Sequence, residues 1–129
     1  MRTVLLLTLI GAACRTQGAF GSWKGTGLIV RFEPHAKGEV FTVDTTGGDG
    51  RATSSSTILY LDGKARDFED LGCSGTQSSR RVDSRTVEIL RQCASGEWTR
   101  FVRKELVLEI TEQRADGRRV EQRSVLEKQ

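Results

Sequence analysis

Few side chains in this sequence can do chemistry, and each has an ordinary structural role to set beside the chemical one. His35 is the single imidazole of the chain, and any Ser-His-Asp device would need it. It follows Pro34 and no Gly-x-Ser-x-Gly elbow accompanies it, so a surface loop is the expected place for it. Gly25-Thr26-Gly27 lacks the third glycine of a dinucleotide fingerprint and runs into Leu28-Ile29-Val30, which reads as strand where that fingerprint opens a helix. Asp44 and Asp49, near Gly47, Gly48 and Gly50, have the wrong acidic spacing for a calcium loop, and a hairpin accounts for the glycines. The run Asp67-Phe68-Glu69-Asp70 could supply paired carboxylates for acid–base work, but such runs are more often solvated loops. No catalytic residue, metal site or cofactor is expected, and an enzyme is the less favoured reading.

The cysteines are Cys14, Cys73 and Cys93. No Cys-x-x-Cys spacing occurs, which argues against a redox pair or a metal site. A hairpin centred on Asp83-Ser84 would set Cys73 nearly opposite Cys93, with a bulge in Gly72-Cys73-Ser74-Gly75 absorbing a slip of one or two residues. In an oxidising compartment the two should form a disulfide worth about 3 kcal/mol on chain-entropy grounds.

The N-terminus points to such a compartment. Arg2 precedes the apolar run Val4 to Cys14, which stops at Arg15 and is shorter than the roughly 20 residues of a spanning helix. Residues 1–18 therefore read as a secretory leader, with cleavage near Thr16-Gln17-Gly18 and a secreted or periplasmic destination. A lipid anchor on Cys14 is the less favoured alternative, because Gly11 stands where such signals usually carry Leu, Val or Ile. The chain has 20 Lys and Arg against 17 Asp and Glu, a net charge of +3; Arg2 and Arg15 lie in the leader, so the remainder carries an excess of only one. Acidic residues interleave with the basic clusters at Arg80-Arg81, Arg100 to Lys104 and Arg118-Arg119, and no aromatic platform accompanies them. Nucleic acid is not an expected partner, while an anionic ligand stays open.

The residues from Ala19 to Gln129 show no composition shift and read as one domain. Asp49-Gly50, Asp62-Gly63 and Asp116-Gly117 are turn pairs, and Asp83-Ser84 and Ser95-Gly96 mark two more. Between turns lie strand-like runs: 38–46, 52–61, 77–82, 86–92, 98–103, 106–113 and 119–127. Leu106, Leu108 and Ile110 alternate with polar residues, and Val87 and Ile89 point inward with Leu90 as the exception. The segment Phe101 to Leu106 joins two apolar runs with almost no turn residue. The expectation is an all-β antiparallel meander of seven or eight strands closing into a small barrel, because open edges must be hidden.

Gly21-Ser22-Trp23-Lys24, Tyr60-Leu61-Asp62-Gly63-Lys64 and Arg81-Val82-Asp83-Ser84-Arg85-Thr86-Val87-Glu88 together resemble motifs of small exported bacterial lipocalin-like domains, which belong to the calycin type. The resemblance extends over nearly all of the body, to Val125-Leu126-Glu127-Lys128-Gln129. It implies a barrel whose floor is closed by Trp23, with Arg119 or Arg123 from the last strand laid across the indole as a cation–π cover. The chain is shorter than true lipocalins and lacks their Thr-Asp-Tyr-like second motif, which argues against a deep ligand cup.

Three functional classes follow. The first is a non-catalytic exported barrel binding a small apolar, amphipathic or anionic molecule or an envelope protein. The second is a barrel-based isomerase or hydrolase, and the third a structural or inhibitor module acting through its surface. An apolar void would favour the first, buried Arg and carboxylate together the second, and a filled core the third. Export itself is directly testable: N-terminal sequencing of the mature protein should start within a few residues of Ala19, or find Cys14 blocked by lipid, whereas an intact Met1 on cytosolic protein would contradict it.

Overall fold

The structure, a computed structural model, describes residues 21–25, 27–47, 49–70 and 72–127. The expected leader and Cys14 lie outside the described residues. Ten strands follow one another: β1 (Gly21–Gly25), β2 (Leu28–His35), β3 (Gly38–Thr46), β4 (Ala52–Leu59), β5 (Arg66–Asp70), β6 (Cys73–Asp83), β7 (Thr86–Cys93), β8 (Trp98–Lys104), β9 (Val107–Gln113) and β10 (Arg119–Glu127). They form one antiparallel sheet in the order β4-β3-β2-β1-β10-β9-β8-β7-β6-β5. Strand β1 closes onto β10, with Ser22 opposite Glu127 and Trp23 opposite Leu126. The result is an all-β meander rolled into a nearly closed barrel, broken between β4 and β5.

Ten strands replace the expected seven or eight. The acidic run expected as a loop is edge strand β5, in which Asp67 and Glu69 face solvent while Phe68 is buried. His35 ends strand β2 instead of lying in a loop; it is exposed, and its Nδ1 accepts the Lys37 N–H at 3.0 Å. Pro34 is tolerated beside it because the described pairing with β1 ends at Gly21 opposite Phe32, leaving this end of β2 paired to β3 alone. Leu106, expected inside with Leu108 and Ile110, is an exposed turn residue. It and Glu105, at φ 50°, join β8 to β9 in the segment that had shown no turn signal.

Three hairpins share one construction. The N–H groups of Gly50, Gly96 and Gly117 donate three residues back, to the carbonyls of Gly47, Cys93 and Arg114. Asp49, Ser95 and Asp116 accept from the N–H groups of Arg51, Glu97 and Arg118. The glycines sit at φ 81°, 99° and 90°, the left-handed region that a residue with a Cβ adopts only at a cost.

Cys73 and Cys93 form a disulfide with a Cα–Cα distance of 5.1 Å. The bulge lies elsewhere than expected, between Arg81 and Asp83, and the ladder opposes Cys93 to Gly75. A Cβ at Gly75 would stand 1.9 Å from the Gln92 carbonyl oxygen. The bare backbone there lets β6 press against β7, and that contact accompanies the bridge from Cys73.

Inside, four rings run in contact. Trp23 meets Phe32 edge-on at 5.2 Å, Phe32 stacks on Phe41 at 5.1 Å, and Phe41 meets Phe101 edge-on at 4.9 Å. Val30, Val43, Leu59, Val87, Ile89, Leu108 and Ile110 fill the space around them. Among these apolar groups lies a buried ion pair: Arg103 Nη1 and Nη2 donate to Glu39 Oε1 and Oε2 at 2.5 and 3.1 Å, and the guanidinium sits 4.5 Å from the Phe32 centroid. Arg81, half-exposed, stands 3.7 Å from the same carboxylate. Such a pair specifies a geometry more than it adds stability, because both ions have left water. Arg103→Met should therefore cost about 3–5 kcal/mol in urea unfolding by stranding Glu39, whereas Glu39→Leu combined with Arg103→Met should recover most of the loss; an additive double variant would contradict this account.

Candidate functional site

Asp62-Gly63-Lys64 carries the turn chemistry of the three hairpins, with Gly63 at φ 77° and the Lys64 N–H on Asp62 Oδ1 at 3.0 Å. It makes no hairpin, contrary to the sequence expectation. The Gly63 N–H donates instead to the Ser79 carbonyl at 2.7 Å, the Leu61 N–H donates to Ser79 Oγ at 3.0 Å, and Asp62 bridges to Arg80. The chain leaving β4 is thus captured by the free part of the β6 edge before it can turn back along itself. Leu61 reaches that path at φ 59°, a conformation costly for a residue with a Cβ. Arg66 fixes the connection, donating to both Asp62 oxygens at 2.9 and 2.7 Å and lying 3.9 Å from the Tyr60 centroid. Those hydrogen bonds, with the Lys64 N–H, hold the Asp62 carboxyl well below the usual carboxylate range.

Strands β4 and β5 consequently leave a seam, and a cavity of about 440 Å³ opens in it. Ser56, Thr57 and Ile58 are consecutive and all line it, as do Asp67 and Phe68. Consecutive strand residues point to opposite faces, so a cavity touching both is a slot through the wall and not a cup at a barrel end. Val40, Ile58 and Phe68 give it apolar sides; Tyr60, Ser79 and Gln77 add hydrogen-bonding groups, and Lys64 and Arg66 add positive charge. A volume of this size lies within the range of small-molecule sites.

Gln77 is the partition at the inner end. Its Nε2 donates to Thr57 Oγ1 across the seam at 3.1 Å, and its Oε1 accepts Arg91 Nε at 2.7 Å. Arg91 lies among rings, 4.3, 5.1 and 5.6 Å from the centroids of Phe68, Phe41 and Phe101. Its Nη2 is buried without a hydrogen-bond partner. Burial pushes the guanidinium down to about 10, opposed by the charge of Asp70, so it stays protonated at neutral pH.

The residues singled out from the sequence lie elsewhere. Trp23 is fully buried against Phe32. Arg119 lies 5.7 Å from the centroid of Trp98, and Arg123 is exposed beside a surface depression with Glu109 and Gln122. Trp98 itself lines a shallow outer groove with Leu90 and Arg100, where Glu88 is held below the usual carboxylate range by Arg80 first and then by Arg100. The Glu39–Arg103 pair brings a buried carboxylate and guanidinium together, as the enzyme reading required, but each carboxylate oxygen is engaged by the guanidinium and neither residue lines the seam. Among the described residues no cluster of His, Cys, Asp and Glu could hold a metal, and no helix is long and apolar enough to cross a membrane.

Gln77, Phe68 and Arg91 were missed from the sequence. The signal for Arg91 was present: Val87 and Ile89 face inward, and the same parity carries Arg91 inward with them. No protein-family description matches the chain, and no curated protein or solved structure matches it.

A largely buried cation without an ion-pair partner opposes folding, and its removal relieves that opposition. Arg91→Met, which keeps length and contact with the rings, should melt at or above the wild-type temperature in differential scanning calorimetry; a drop of more than about 4–8 °C, the equivalent of roughly 1 kcal/mol, would mean the charge is needed for the fold.

Proposed function

We propose that this protein is an exported, non-catalytic, lipocalin-like barrel that binds a small amphipathic molecule in the seam between β4 and β5. The observation that carries the reading is the slot itself, a cavity of about 440 Å³ with apolar sides and a hydrogen-bonding, partly cationic lining. Among the described residues the aromatic string and its aliphatic neighbours pack into one core, and the seam offers a ligand both apolar and hydrogen-bonding surface. The disulfide supports an oxidising compartment, and with it export.

The test uses N-phenyl-1-naphthylamine, an uncharged probe that brightens on leaving water. Wild-type protein should bind it saturably at one site per chain, and Ser56→Trp, which fills the slot from an exposed position, should weaken binding at least about tenfold, roughly 1.4 kcal/mol. Leu90→Ala, in the outer groove, should leave binding unchanged. No saturable binding, or binding that Ser56→Trp does not diminish, would remove the seam as the site.

A further inference from the structure

Behind the inner wall of the slot stands a cation without a counter-ion. Arg91 touches two residues that line the cavity, Gln77 through a hydrogen bond and Phe68 through its ring face. Its Nη2 is buried and has no acceptor. Asp70 on β5 influences it through space, yet no ion pair joins the two among the described residues. Buried charges in folded proteins are ordinarily paired, so an unmatched guanidinium against a cavity wall implies an anion that arrives from outside.

Resting on the reading of the seam as a binding site, the geometry points to a ligand that carries one carboxylate, held by Arg91 Nη2, with its apolar body against Phe68, Val40 and Ile58. One uncompensated cation calls for one negative charge. A phosphate dianion would bring a second charge with no buried cation to meet it, because Arg66 is already matched by both oxygens of Asp62. Lys64 stands exposed at the cavity, where an ion pair with a carboxylate is screened by water and contributes little. Gln77 closes the passage by its contacts with Thr57 at 3.1 and 3.4 Å, and rotation of this unbranched side chain, exchanging its bond to Arg91 for one from the ligand, opens the way to Arg91. The bond that Arg91 forms with the carboxylate is charge-assisted and shielded from solvent, the setting in which such bonds are strongest.

Calorimetric titration of the full chain with phenylbutyrate and with phenylbutanamide, matched in shape and differing in charge, isolates this contribution. Wild-type protein should bind the carboxylate at least about tenfold more tightly at neutral pH. Arg91→Met should erase the preference, so that the carboxylate and the amide bind alike; Arg91→Lys should retain part of it, and Lys64→Met all of it. Phenylbutylphosphonate should bind more weakly than phenylbutyrate. The assignment is overturned by a preference that survives in Arg91→Met or vanishes in Lys64→Met, or by a phosphonate that binds more tightly. It is equally overturned if wild-type protein shows no preference, or binds neither compound while still binding the probe. Failure of the probe itself to bind would instead dispose of the seam site, and of this assignment with it.

Discussion

A strand edge can be hydrogen-bonded only once, and this barrel turns on how the edge of β6 is shared. Residues Cys73 to Gln77 of β6 take β5, and the stretch beyond is occupied by Leu61, Asp62 and Gly63 from the β4 exit. With that exit tied to β6, β4 cannot run alongside β5 as a hairpin partner. The break in the wall, the cavity within it and the polar partition formed by Gln77 and Thr57 all follow from this one competition for backbone partners.

Two guanidinium groups inside one small barrel show opposite solutions to the cost of burying charge. Arg103 is matched in charge and geometry by Glu39, and the pair links β3 to β8. Arg91 has ring faces and a neutral amide around it, but no carboxylate in contact. Ring quadrupoles and an amide oxygen soften the desolvation of a cation without neutralising it. The first arrangement is complete as it stands; in the second, one guanidinium nitrogen keeps a hydrogen-bonding capacity that the chain does not meet.

The sequence revealed the parts of this fold governed by local chemistry. The strands at 38–46 and 119–127 fall where alternation placed them, and the Asp49-Gly50, Ser95-Gly96 and Asp116-Gly117 turns are hairpins because their own side chains and carbonyls satisfy them. The proximity of Cys73 and Cys93 was readable from the Asp83-Ser84 turn, since a ladder propagates its register. What was hidden depends on partners distant in sequence. Asp62-Gly63-Lys64 has the same local bonds as a true hairpin turn, and only the Ser79 carbonyl decides otherwise. Strand β5 is too short and too acidic to announce itself; a single inward Phe68 anchors it. The seam residues carry no motif because the cavity is made by the absence of pairing, and an absence leaves no pattern in the chain.

The interrupted wall also sets the order in which the protein comes apart. A fully closed ring of strands has no outermost member, so every strand must lose two neighbours to leave it, while an interrupted ring offers two strands that must lose only one. Here the two outermost strands are unequal: β5 is held to β6 by five ladder pairs, and the Cys73–Cys93 bridge staples β6 and not β5 to β7, whereas β4 is held to β3 by eight pairs and to β6 by the contacts of its exit. Fraying then begins at β5 and stops at the stapled β6, so backbone amides of β5 exchange with solvent before those of β4. A molecule lodged between β4 and β5 would touch the strand that leaves first, and its binding would register as slowed exchange across β5.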